Sequence, residues 1–303
     1  MTIAPWLWIP LTIFAALAQT VRNTAQRRLV DDLGTLGATL VRFLYGMPLL
    51  ALWLGLVIAL GSHAMPPLTA GFAVWVLVAA LSQMAGTALL LRAMAERSFA
   101  IGLVYSKSEV IQVALFSVIF LGEALSLATA LAIVLATFGV VLLSPRPQGA
   151  VLARSWADPA ALFGLAAGSA FAISVVGYRG ATLALDAGSP FLGAARTLFW
   201  SQLTQTVLLG AWLLARTPSV VLGVLREWRL SLFAGLAGAS ASAANVTALA
   251  LESASNVRTM ILIEVLFTYF VSLRIFRETI SRRELAGIAL VVLGVGIIVA
   301  TSR

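Results

Sequence analysis

Apolar residues along this chain come in runs of about twenty, separated by short stretches carrying Arg, Pro, Gly or Ser. A run of that length crosses the hydrocarbon layer of a bilayer as one helix, which needs about 20 residues. Ten spans are predicted, at 6–28, 36–60, 70–95, 99–121, 126–144, 159–184, 190–214, 229–250, 256–275 and 283–301. Segments of strict apolar–polar alternation, the mark of an outer-membrane barrel, are missing from the sequence. The pattern therefore predicts an all-α polytopic membrane protein.

An internal repeat divides the ten spans. Sliding the chain by 154 or 155 positions lays "GATLVRFLYG" over "LGAARTLFWS", matching Arg42 with Arg196. The same slide lays "SEVIQVALFSVIFLGEALS" over "IEVLFTYFVSLRIFRETIS", matching Glu109 with Glu264, Glu123 with Glu278 and Ser126 with Ser281. Two Glu-Val pairs, each followed by Glu-x-aliphatic-Ser at the same distance, mark a duplicated unit. The polar stretch "SPRPQGAVLARSWADP" at 144–159 falls near the midpoint, giving two domains, 1–147 and 148–303. Each holds five spans, an odd number, so the halves insert upside down relative to one another, as in many secondary transporters.

Composition agrees: 61% of residues are hydrophobic and 11% charged, against about 45–50% and 25% in soluble domains. The net charge of +8 would suggest nucleic acid in a soluble protein. Here the basic residues mostly flank the spans, so they are assigned to topology and anionic lipid, and no nucleic-acid partner is expected. Sixteen Lys and Arg lie on the side of the odd-to-even connections and four on the other. By the positive-inside rule both termini then face away from the cytoplasm. "MTIAPWLWIP" has no basic region or cleavage site of a signal peptide, so the first span is retained. Trp6 and Trp8 read as interfacial anchors.

Without cysteine, disulfides and thiolate chemistry are excluded, and the single histidine, His63, stands in a turn without partners. No metal, cofactor or catalytic residue is expected, since nucleotide loops and nucleophile–base sets are also missing from the sequence.

"FLGEALSLATALAIVLATFGVVLLS" (120–144) and "FRETISRRELAGIALVVLGVGIIV" (276–299) resemble the ends of the two EamA-type repeats of the drug/metabolite transporter superfamily. That group includes amino-acid exporters of the YddG type. The resemblance implies ten helices as two inverted five-helix repeats around a central cavity lined by the first, third, fourth, sixth, eighth and ninth, with the fifth and tenth packed behind. Two features depart from it. Many members carry proline after the glutamates of the fourth and ninth helices, where this chain has Val110 and Val265. Many also keep their termini in the cytoplasm, against the charge count above.

An ionisable side chain at mid-membrane costs at least about 2.5–3.5 kcal/mol and should face the bundle interior with a partner. Glu109 and Glu264 qualify. The favoured reading is a pair of structural clamps within each half, Arg42 with Glu109 and Arg196 with Glu264; the other is proton coupling. Lys107 has no charged repeat mate, since Leu262 aligns with it, and two residues' separation on a helix turns it away from Glu109. It is assigned to the substrate cavity. Gln19 and Asn23 fall with Arg22 and Gln26 on one face of the first span. With Gln83, Tyr105, Gln112, Tyr178 and Asn245 they complete the expected cavity lining.

The function read from these features is secondary transport: export of small polar metabolites, amino acids the leading class, by alternating access. Proton-coupled efflux of lipophilic cationic drugs on the same fold is the alternative; a membrane enzyme is disfavoured. The expected partners are a small-molecule substrate and the lipid of a bacterial inner membrane, with the monomer as the working unit.

Overall fold

The structure, a computed structural model, describes residues 4–61, 66–96, 105–143, 159–185, 187–267 and 281–301. All but the last residue of the expected linker at 144–159, His63, Glu278, the start of the fourth span and the end of the ninth lie outside these residues. Among the described residues, helix is found in each of the ten expected spans.

The first helical stretch, α1 (Trp8–Leu44), hides a reversal. Gln26 Nε2 donates to the Ala38 carbonyl at 2.8 Å, although twelve residues of straight helix would separate the two by about 18 Å. The chain folds back at Gly34, whose φ of 67° suits only a residue without Cβ. Gly188, 154 positions later, has φ 63° at the corresponding corner of the second half. The first span thus runs down 8–33 and the second returns through 35–44 into α2 (Met47–Leu60).

The first half continues with α3 (Ala70–Glu96), α4 (Glu109–Leu121) and α5 (Leu127–Leu143). The second half comprises α6 (Pro159–Leu185), α7 (Pro190–Arg216), a short α8 (Pro218–Arg226), α9 (Trp228–Leu251), α10 (Ala254–Met260) and α11 (Arg282–Thr301). From hydrophobic run length alone, 215–228 is expected to be a connection. In fact α8 lays Val220, Val221 and Val224 across the α1 hairpin against Leu33 and Leu40, and Tyr45 Oη donates to its Val224 carbonyl at 3.1 Å.

Packing follows the inverted duplication. Helix α1 lies along α9 and α3 along α6, the same contact seen from each half, while α5 and α11 pair with each other. In that last pair a Cβ on Gly139 would stand 2.7 Å from the Gly287 carbonyl, and one on Gly294, its repeat mate, 2.7 Å from the Ala132 carbonyl. Only small residues allow helices so close, and van der Waals contact at such interfaces drives association in lipid. The outer face of α5 presents Leu131, Val134, Phe138 and Val141. Trp6 is 61% exposed as an anchor would be, but Trp8 is fully buried in the core rather than interfacial.

Candidate functional site

Two helices are broken at matching places. Residues 105–106 are helical, Lys107 and Ser108 form a turn, and α4 then begins at Glu109; in the second half α10 ends at Met260, Ile261 and Leu262 form a turn, and helix resumes over 263–267. The breaks are 154 residues apart. Bonds from residue i to i−3 tighten both: Val110 N to Lys107 O at 3.2 Å, and Val265 N to Leu262 O at 3.0 Å. Tightened turns of this kind mid-span accompany hinges, and here they form without proline. Each restarted helix places a carboxylate, Glu109 or Glu264, in its first turn, where the helix dipole favours negative charge.

The breaks face one another across the junction of the halves. Lys107 Nζ lies 2.6 Å from Glu264 Oε2, and Arg258 Nη1 lies 3.7 Å from Glu109 Oε1. Each half therefore sends a cation from its broken helix to the carboxylate of the other. This overturns the clamps expected within each half. Arg42 instead donates to Thr87 Oγ1 at 2.8 Å, and Gln83, with its amide turned to suit its neighbours, accepts from both Arg42 terminal nitrogens at 2.9 Å and donates to Ser174. Arg196 donates to the Pro66 carbonyl; it stands in the second turn of α7, near the end of its span, too shallow to reach Glu264.

Helix α1 completes the cluster because its polar stripe, spaced by three and four, points at the junction. Gln19 Nε2 and Asn23 Nδ2 donate to Glu264 at 2.9 and 3.2 Å. Asn23 Oδ1 accepts from Arg22 Nη2 at 2.6 Å and Nε at 3.2 Å. Tyr178 shares a hydrogen bond with Ser201 at 3.0 Å. Arg22, Arg42, Lys107, Arg258, Glu109 and Glu264 are all 7% exposed or less.

These groups surround a narrow cavity. Of the expected lining residues Gln19, Asn23, Gln83, Lys107, Tyr178 and Asn245 border it, whereas Tyr105 and Gln112 are not among the residues that do; Gln112 turns back toward Ser108 at 3.4 Å. Free space for the centres of water-sized molecules is about 40 Å³, room for about three waters. Three of the four lining cations stand outside the cavity set expected from sequence, Arg42 being expected as a clamp. Arg22 lies in the polar stripe but also fits the basic cytoplasmic end of the first span, and Arg258 has no charged repeat mate, Leu103 or Val104 standing at the matching position.

A second charged cluster closes one end of the bundle. Arg179 Nε meets Glu123 Oε1 at 2.8 Å, Arg179 Nη1 donates to the Leu249 carbonyl at 2.6 Å, and Glu123 Oε2 accepts from Ala254 N at 3.1 Å. Four segments are clasped at once: α6, the turn between α4 and α5, the end of α9 and the start of α10.

Comparison with known proteins places the fold. A solved crystal structure matches with a TM-score of 0.59 over 93% of this chain and 97% of that one, at 18% identity. Comparison with curated proteins finds no match. The sequence profile of the EamA-like transporter family matches twice, over 6–144 and 158–300. With helix in each of the ten expected spans among the described residues and a polar cavity between the two matched repeats, the chain is a multi-pass membrane protein that belongs to the EamA-like transporter family.

Proposed function

We propose that this chain exports small, carboxylate-bearing polar metabolites, amino acids the leading class, by alternating access at the cavity between its two halves. The observation that carries the reading is the reciprocal tie of the broken helices, Lys107 to Glu264 and Arg258 to Glu109. Both ties cross the junction that must open. A substrate with acceptor and donor groups can replace each partner as the halves separate, so opening need not strand a charge in the bilayer. The two halves, taken as 1–147 and 148–303, would rock about this point.

Cation efflux fits less well, because the lining is richer in positive than negative side chains and a lipophilic cation would meet repulsion there. The charge bias supports a bacterial inner-membrane orientation with both termini outside the cytoplasm. Since the chain has no cysteine, one cysteine added at the N-terminus tests this directly. It should react with a membrane-impermeant maleimide in intact cells. Transport itself is tested by counterflow of labelled amino acids in vesicles of the purified chain. Failure of every amino acid, organic acid and amine to move would sink the reading.

A further inference from the structure

The charges in the cavity do not balance. Among the described residues around it, three guanidiniums and one ammonium face two carboxylates, a surplus of two positive charges. Arginine does not lose its proton in proteins, so the guanidinium charges are permanent. The excess is concentrated on Arg22 and Arg42. Neither has a carboxylate within ion-pair distance: Arg22 bonds to the Asn23 amide, and Arg42 to Thr87 and Gln83. Their stems meet over Gly238, where a Cβ would stand 3.0 Å from Arg22 Cδ and 3.5 Å from Arg42 Cγ. Two neighbouring, buried guanidiniums with no carboxylate in direct contact repel each other and keep only neutral acceptors.

Two further polar atoms at the cavity lack partners. Arg258 Nε is a buried donor with no acceptor, and Asn245 Oδ1 is a buried acceptor with no donor. Buried polar groups in native folds are otherwise almost always satisfied. The missing complement is therefore specific: negative charge opposite the arginines and one hydrogen-bond donor opposite Asn245.

Resting on the transport reading above, we infer that the substrate is a small dicarboxylic acid of net negative charge that also carries an amino or hydroxyl donor. One carboxylate bridges Arg22 and Arg42, in the forked geometry at which guanidinium excels. The other meets Arg258, and the donor reaches Asn245. Acidic amino acids and hydroxy-diacids have this pattern; neutral amino acids lack the second acid.

The test uses the purified full-length chain and pairs of probes that differ in one feature. L-glutamate should raise the melting temperature and exchange in vesicle counterflow, while L-glutamine, alike in shape but one charge apart, should do neither. Malate should outperform succinate, which lacks the hydroxyl. Arg22→Gln and Arg42→Gln should each shift the melting temperature of the ligand-free protein upward and abolish the glutamate shift, an effect that a structural arginine would not give. Glutamine matching glutamate, stabilisation by inorganic phosphate alone, or ligand-free variants that melt lower or fail to fold would each overturn the inference. Movement of glutamine without glutamate would leave the transport reading standing, whereas the absence of any movement by acids, zwitterions or amines would remove both.

Discussion

Arg179 and Arg22 are both arginines inside the same helical bundle, and they live by opposite rules. Arg179 is the more exposed, and its partner Glu123 is similar, with side chains 15% and 13% accessible. Yet that clasp is complete: the guanidinium has a carboxylate and a carbonyl, and the carboxylate has a second donor in Ala254 N. Arg22 is buried more deeply and has only an amide. Burial by itself does not separate a structural charge from a working one. Compensation does, because a fold retains an unpaired charge at a real energetic cost and a brace has no use for that cost.

Removing negative charge from the under-compensated region should hurt most. Glu264→Gln raises the positive surplus around the cavity and leaves Lys107 without its carboxylate. The loss should be about 3–5 kcal/mol, the range for stripping one partner from a buried pair, read by thermal or denaturant unfolding in detergent. A loss below about 1 kcal/mol would mean the cavity charges are solvated and the contrast with the clasp is false.

Next comes the clasp. Glu123→Ala leaves Arg179 facing only the Leu249 carbonyl and deprives Ala254 N of its acceptor. About 2–4 kcal/mol is expected, somewhat less than for a fully buried pair because both side chains keep some exposure. Arg179→Ala should cost a similar amount, and the double variant clearly less than the sum, since each single change already breaks the shared contact. Additive losses would show that the two residues act independently.

A region without charge sets the baseline. Gly139→Val puts a branched side chain against the Gly287 backbone and must push α5 away from α11, costing about 1–3 kcal/mol by overpacking. Being remote from the cavity, it should lower the melting temperature while leaving the ligand-induced shift unchanged. A lost ligand shift would show that the α5–α11 pair moves with the cavity.

How far the sequence reaches can be judged from the same residues. The spans and the duplication are written in hydrophobic run length and in an offset that recurs at Glu109 and Glu264, so both are legible. The breaks are not, for they fall on Lys107-Ser108 in one half and Ile261-Leu262 in the other, pairs with nothing in common beyond position. Partner choice fails for a geometric reason. Reasoning from membrane side paired Arg42 with Glu109 and Arg196 with Glu264, within halves, whereas the inverted halves meet at mid-membrane and bring Lys107 to a residue 157 positions away. Helix α8 escaped notice because a nine-residue helix gives too short a run to declare its apolar face.

The smallest predicted effect decides most sharply between the two kinds of charge. Of the two ion pairs described at the junction, Lys107 makes the shorter, 2.6 Å, so the contact distance ranks Lys107→Met as severe. Charge accounting ranks it as mild. The substitution reduces the surplus from two to one, and Glu264 keeps its hydrogen bonds from Gln19 and Asn23, so its carboxylate is not left bare. The lost charged hydrogen bond, about 1.5–3 kcal/mol, is then largely offset by relief of repulsion with the arginines. The net loss should be under about 1 kcal/mol by this balance of opposing terms. Glu264→Gln, which breaks the same contact from the other side, should cost several times more. Two variants of one ion pair with such unequal stabilities would place the imbalance in the field around the pair. Equal losses would place it in the contact, and Arg22 would then belong with Arg179.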